Sequence, residues 1–287
     1  MSAKTVLITG ATGGIGKQTA ITLAKLGFRV IITGRNKTSG LEAVSEIKQL
    51  SENDNVELLL ADISTQWGVK TLAAEVIAKV DALDVLINNA GSATNERKLN
   101  SEGVELNFAI NVIAPYLLTT LLMDTLKKSP SPRVVSLMGG DLPITIDLDN
   151  LQAENSFDGL NSYSQSKMAM MAVMREYAER TKESGITMNI CYPGQASTSM
   201  TQGVTADMLP GAMKVIFPIF KFFVRPDGGK SAAKASRSSI FLATSNEVEG
   251  ETGLYYSKNV KRSAFPLMIE NPAVRAVVWD YMQKLLI

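Results

Sequence analysis

The stretch Thr9-Gly10-Ala11-Thr12-Gly13-Gly14-Ile15-Gly16 joins a short β-rich run, Lys4–Thr9, to an apolar-periodic segment, Ile15–Leu26. Glycines in a strand-to-helix turn let the backbone approach a ligand closely, and the helix N-terminus that follows favours a pyrophosphate. Alone, such a turn is weak evidence of a ligand, because a tight βα connection uses glycine for its own geometry.

The unit repeats along the chain. Strand-like runs recur at Arg29–Thr33, Glu57–Ala61, Asp84–Asn88, Arg133–Leu137 and Thr187–Cys191, separated by helix-length segments at Leu41–Leu50, Gly68–Val80, Val104–Lys127 and Tyr163–Glu183. Strands apolar on both faces that alternate with helices predict a parallel sheet covered on both sides. Right-handed crossovers make it a single doubly wound α/β domain over residues 1–287, with its ligand crevice at the strand C-termini. Ser129–Pro132 is too brief to be a linker and reads as a turn. Met208–Pro226 breaks the rhythm: Pro210, Pro218 and Pro226 interrupt a stretch rich in Phe, Ile and Met that also carries Lys214, Lys221 and Arg225. It reads as part of an apolar lid over 198–226, or as an interfacial helix.

Lysine and arginine total 29 against 28 acidic residues, without a block of like charge, which argues against nucleic-acid partners. Histidine is absent, so His-based hydrolytic triads, His-ligated zinc and imidazole bases are excluded, and no metal site is expected. Cys191 is the only cysteine; it rules out an internal disulfide and suits a reducing compartment. No charged leader with an apolar run precedes the first strand, and no apolar stretch approaches the ~18 residues of a membrane span. A cytoplasmic location follows as the expectation, with peripheral membrane contact as a variant of it.

The spacing of Gly10, Gly14 and Gly16 resembles the glycine motif of the short-chain dehydrogenase/reductase family. Asn88-Asn89-Ala90-Gly91 is similar to a second family motif, and Tyr163-Ser164-Gln165-Ser166-Lys167 to its Tyr-x-x-x-Lys pair. Asn111, Pro193-Gly194 and Thr198 fall where the family places them. Gly103–Thr119 and Glu247–Tyr256 look like the retinol-dehydrogenase-like branch, whose members reduce or oxidise lipophilic carbonyls and alcohols. The resemblance implies a Rossmann fold and a cofactor site built from Gly10, Thr12, Gly13, Gly14, Ile15, Gly16, Asn89, Ala90, Gly91, Pro193, Gly194 and Thr198.

Tyr163 and Lys167 also make physical sense without the resemblance, since residues four apart share a helix face. A phenol ordinarily titrates near pH ~10. An ammonium beside it favours the phenolate, so Tyr163 can exchange a proton with a substrate oxygen as hydride moves. The family implies that Lys167 also holds the nicotinamide ribose, and that Asn111 helps to hold a water of the proton relay.

A carboxylate ending the second strand would select NAD; here Gly34-Arg35-Asn36 stands there, and the guanidinium of Arg35 suits a 2′-phosphate. NADP(H) is therefore the expected cofactor. Lys17 and Lys37 could add positive field but read better as solvated. Asp62 falls where the family's acidic residue meets the adenine edge, with Ile63 beside it.

One expected residue is missing. The family's active-site serine lies just after the fifth strand, and an ungapped count from Arg133 puts Gly139 there, after Met138. Ser136 sits three residues early, and an odd slip would turn it to the other face. A water, the amides of Gly139 or Gly140, or a protonated Asp141 could donate instead, and Met200 would line the substrate side. Three activities stay open: an NADP(H)-dependent oxidoreductase acting on a lipophilic small molecule; a non-redox isomerase, lyase or cyclase using Tyr163; and an NADP-binding regulatory protein. Helices Val104–Lys127 and Tyr163–Glu183 carry the surfaces through which many relatives pair, so a homodimer is expected from the resemblance.

Overall fold

β1 (Thr5–Ile8), β2 (Arg29–Gly34), β3 (Val56–Leu60), β4 (Val85–Asn88), β5 (Arg133–Leu137) and β6 (Thr187–Cys191) each form within a residue of the run expected for them. The structure is a computed structural model that describes residues 3–139, 145–203, 205–206, 217 and 225–286. Between the strands lie α1 (Gly14–Lys25), α2 (Lys37–Ser51), α3 (Gln66–Lys79), α4 (Leu106–Phe108), a π-helical turn (Ala109–Ile113), α5 (Ala114–Lys127) and α6 (Gly159–Arg180). Strand side chains alternate between two cores. Leu7, Ile31, Leu86 and Val134 pack with α3, α5 and α6, while Val6, Ile8, Ile32, Ile87 and Val135 pack with α1 and α2. The run of apolar residues in each strand therefore serves both faces at once.

The sheet order is β3-β2-β1-β4-β5-β6-β7-β8, where β7 is Tyr255–Tyr256 and β8 is Arg262–Ser263. All neighbours are parallel except β7 and β8, which are antiparallel. That hairpin extends the expected parallel sheet at one edge; strands of two residues carry no periodic signal. The order reverses between β1 and β4, which opens the ligand crevice at their C-terminal ends.

Leu106–Lys127 forms one helical run of 22 residues whose best window has a mean hydropathy of 1.6. It is long and apolar enough to cross a membrane by composition, contrary to the expectation that no stretch reaches that length. That window is 78% buried inside the protein, with Phe108, Val112, Leu118, Leu122 and Leu126 in the core.

Beyond β6 come α7 (Ser199–Gly203), α8 (Lys230–Ala235), α9 (Arg237–Thr244), α10 (Leu267–Glu270) and α11 (Pro272–Leu285). Asn271 caps α11 by accepting from Ala273 N at 3.0 Å, and Pro272 suits the first turn, where no backbone N–H is needed. α11 lies along the outer face of α5 and α6. Trp279 meets the edges of Tyr116 and Tyr177, Arg180 stacks over Trp279 at 4.6 Å, and Arg275 pairs with Glu176 at 3.1 Å. Val278 and Met282 are fully buried beneath it. α11 thus covers the part of α5 and α6 around Tyr116, Glu176 and Tyr177 within the chain itself.

Candidate active site

The glycine turn keeps the place read for it. Gly10 and Gly14 take positive φ, +64° and +54°, and a Cβ on Gly10 would stand 2.9 Å from the Ala90 backbone. Gly13 has open space where a side chain would project, and Gly16 backs onto Asn89. Asn89 holds the turn from below: its Nδ2 donates to Thr9 O at 2.8 Å and to Gly10 O at 3.1 Å. Its side chain thus braces the loop. Thr9 Oγ1 accepts from the amides of Asn89 and Ala90, both at 3.1 Å, locking β1 to β4.

Thr12 packs its methyl against Gly34, which brings the end of β2 alongside the turn. Arg35 follows, exposed and with no acidic partner among the described residues. Asn36 serves as the cap of α2, its Oδ1 accepting from Ser39 N at 3.0 Å. Lys17 pairs with Glu46 at 2.6 Å, so its charge is already partnered. Asp62 is exposed past β3 and accepts from Ser64 N at 3.1 Å; Ile63 lines a small depression with Thr9, Asn88, Ala90 and Ile110.

On the far side, Pro193 and Gly194 follow β6, with Gly194 at φ +83° against the side chain of Lys258. Thr198 lies against Gly14, and Ile15 packs on Ala196, Ala232 and Ala235. Ala196 and Thr198 therefore sit against the glycine turn. Gly140, Asp141, the Met200 side chain, Met208, Leu209, Met213, Ile216 and Phe220 lie outside the described residues, as does most of the expected lid.

At the ends of β4 and β5 three elements converge. Lys167, 5% exposed, donates from Nζ to Leu137 O at 3.2 Å. Asn111 sits in the π-helical turn, where an extra residue re-aims the side chain. It accepts from Ser92 N and donates to Ser92 O, both at 2.9 Å, and also donates to Ser166 Oγ at 2.8 Å. Ser166 in turn donates to Tyr163 O at 2.6 Å. Gly91 lies between them: a Cβ there would come within 3.3 Å of Asn111 Oδ1 and 3.4 Å of Lys167 Nζ. Ser166 and Thr9 are the members that sequence reading did not single out. Ser166 could have been found from the helix face it shares with Tyr163, three residues away.

Tyr163 is half-buried at one end of this array. Burial pushes its phenol up to about 12 and the Lys167 ammonium down to about 8. Burial alone sets the direction for the phenol, which favours its protonated form. Its hydroxyl rests over Gly139, where a Cβ would run into Oη. Ser136 is no substitute for the missing serine: it is buried within β5 and accepts from Asn88 Nδ2 at 3.4 Å.

A family model described as short chain dehydrogenase matches residues 4–209. Human retinol dehydrogenase 14 is 32% identical over 98% of this chain and 85% of its own length. Human polyprenol dehydrogenase is 31% identical over 96% and 83%. Among solved structures, an uncharacterized protein from Mycobacterium paratuberculosis superposes with a TM-score of 0.76 at 23% identity, covering 98% of this chain and 92% of the other. The Pseudomonas aeruginosa RhlG/NADP complex gives 0.65 at 22%, covering 90% and 95%. With the glycine turn, the Asn-Asn-Ala-Gly bend and the Tyr163/Lys167 face assembled at one end of the sheet, the chain belongs to the short-chain dehydrogenase family, in its retinol-dehydrogenase-like branch.

Proposed function

We propose that this protein is an NADP(H)-dependent oxidoreductase that interconverts a carbonyl and an alcohol on a lipophilic small molecule. The observation that carries the reading is the convergence of Tyr163, Lys167 and Asn111 around Gly91 and Gly139, at the C-terminal ends of β4 and β5. The retinol and polyprenol dehydrogenases named above act on long apolar alcohols by their names, which supports the substrate class. The apolar composition of 198–226 suits a lipophilic substrate, and delivery from a membrane surface fits the same composition.

The residues present fit a nicotinamide dinucleotide phosphate. Gly13 leaves a side chain's space open at the N-terminus of α1, and Arg35 at the end of β2 is an exposed guanidinium without an acidic partner among the described residues. In this reading the amides of the glycine turn hold the pyrophosphate, Arg35 the 2′-phosphate and Lys167 the ribose; Thr198 and Ile15 close over the turn. When bound, the cofactor supplies or accepts the hydride. In reduction, Tyr163 Oη gives its proton to the carbonyl oxygen, and the Lys167 ammonium stabilises the phenolate left behind. In oxidation the phenolate takes the hydroxyl proton. Asn111, tied on both sides to Ser92, keeps a fixed orientation from which to hold a relay water.

Titration calorimetry with NADPH and NADH, followed by reduced-nicotinamide absorbance with a panel of apolar aldehydes and ketones, tests the reading. The expectation is tighter binding of NADPH and substrate-dependent oxidation. Tight NADPH binding with no turnover would favour instead a non-redox enzyme using Tyr163, a reading that the missing serine keeps in play.

A further inference from the structure

The π-helical turn that aims Asn111 is held from outside the active site by buried polar side chains. Phe108 precedes the turn, and its amide donates to Glu105 Oε2 at 2.7 Å; Ala109 N donates to Glu105 O at 2.8 Å. The amide of Glu105 itself donates to Gln152 Oε1 at 2.9 Å. Gln152 Nε2 then donates to Tyr281 Oη, on α11, at 2.6 Å. The ring of Tyr281 closes the circuit by meeting Phe108 edge-on, with centroids 5.7 Å apart. Glu105 and Gln152 are 2% and 7% exposed, and the second carboxylate oxygen of Glu105 has no hydrogen-bond partner among the described residues. Burial holds that carboxyl above the usual carboxylate range. An apolar contact would hold a helix in place at less desolvation cost, so a connected polar chain here fixes direction more than it adds stability.

We propose that Tyr281 and Gln152 are positioning residues for Asn111, so that α11 sets the geometry of the proton relay through Glu105 and the π turn. The proposal rests on the role given to Asn111 above. It requires that loss of the Tyr281 hydroxyl alters turnover only through Asn111, with cofactor affinity intact, because none of the links touches the glycine turn or Arg35.

Tyr281→Phe removes the hydroxyl and keeps the ring contact; Gln152→Leu cuts the next link. Each variant is measured alone and combined with Asn111→Ala, by carbonyl reduction at saturating NADPH and by hydrogen exchange of residues 105–113. The expected result is a fall in kcat of about threefold to tenfold, with KM and NADPH Kd unchanged and faster exchange at 108–113. No further loss is expected when either change is added to Asn111→Ala. Undiminished kcat in both single variants, or the same fold-loss in the Asn111→Ala background, overturns the proposal. If Asn111→Ala itself leaves kcat unchanged, or no carbonyl is turned over, the relay reading is what fails. Exchange then decides alone: unaltered protection at 108–113 in both variants overturns the positioning role, and selective loss there sustains it.

Discussion

Gly139 lies directly beneath the hydroxyl of Tyr163, and a single added methyl at Gly139 would occupy the position of Oη. Gly139, the position at which the sequence count expects the family's serine, is thus packed against the tyrosine hydroxyl. Gly139→Ala and Gly139→Ser should therefore both displace the phenol. We expect kcat for carbonyl reduction to fall by about tenfold to a hundredfold, since ångström misplacement of a reacting group costs that much, while NADPH affinity changes less than about twofold. A gain of activity in Gly139→Ser would mean that the tyrosine does not work from this position.

Lys167 sets the pH dependence. Its ammonium has a folded value of about 8, lowered by burial, against an ordinary 10.5, so it is charged below pH 8 and neutral above. Reduction should slow as pH rises through about 8, because the phenolate formed on proton transfer loses its counter-charge; the phenol, pushed up to about 12, stays protonated throughout. Stability moves the other way. Between pH 8 and 10.5 the unfolded chain binds the proton that the folded protein has released, so stability rises with pH across that window. Chemical denaturation of the wild type and Lys167→Met from pH 7 to pH 10 checks this: the variant's advantage should shrink as pH rises.

Arg35 should govern cofactor choice. It is exposed and has no acidic partner among the described residues, so replacing it disturbs none of the ion pairs described. Arg35→Ala should weaken NADPH by about tenfold to a hundredfold, the range for losing charged hydrogen bonds of roughly 1.5–3 kcal/mol, and leave NADH within about twofold. Equal weakening of both in calorimetry would assign Arg35 no part in recognising the phosphate.

α11 should be a large part of the fold's stability. Trp279 contacts two tyrosines and receives Arg180 over its ring. Trp279→Ala should cost about 2–3 kcal/mol, read as a lower urea midpoint at unchanged slope. Ending the chain at Asn271 should uncover the aromatic face of α5 and α6 and produce self-association in light scattering; a monomer of undiminished stability contradicts the packing described.

Six strands were legible because they are largely apolar and five of them lead into a helix with its own period, a pattern that survives without tertiary context. β7 and β8 were not, being two residues long. The sequence reading also left α11 unassigned, although Asn271-Pro272 and the spacing of Val274, Val278 and Met282 carry an ordinary helix signal. In the site, the glycine turn and the Tyr163/Lys167 face could be read locally. The brace of Asn89 on Thr9 and the Gln152–Tyr281 bond could not, since they join residues 80 and 129 positions apart. Asn36 shows the converse: its place after β2 suggested a ligand contact, whereas its local chemistry makes it a helix cap.

The proton transfer assigned to Tyr163 is tested most directly by Tyr163→Phe at matched NADPH occupancy, established by calorimetry, in a single-turnover reduction of an apolar aldehyde. The account predicts full cofactor binding and a rate lower by at least about a hundredfold. Oxidation of NADPH by the variant at the wild-type rate would contradict it.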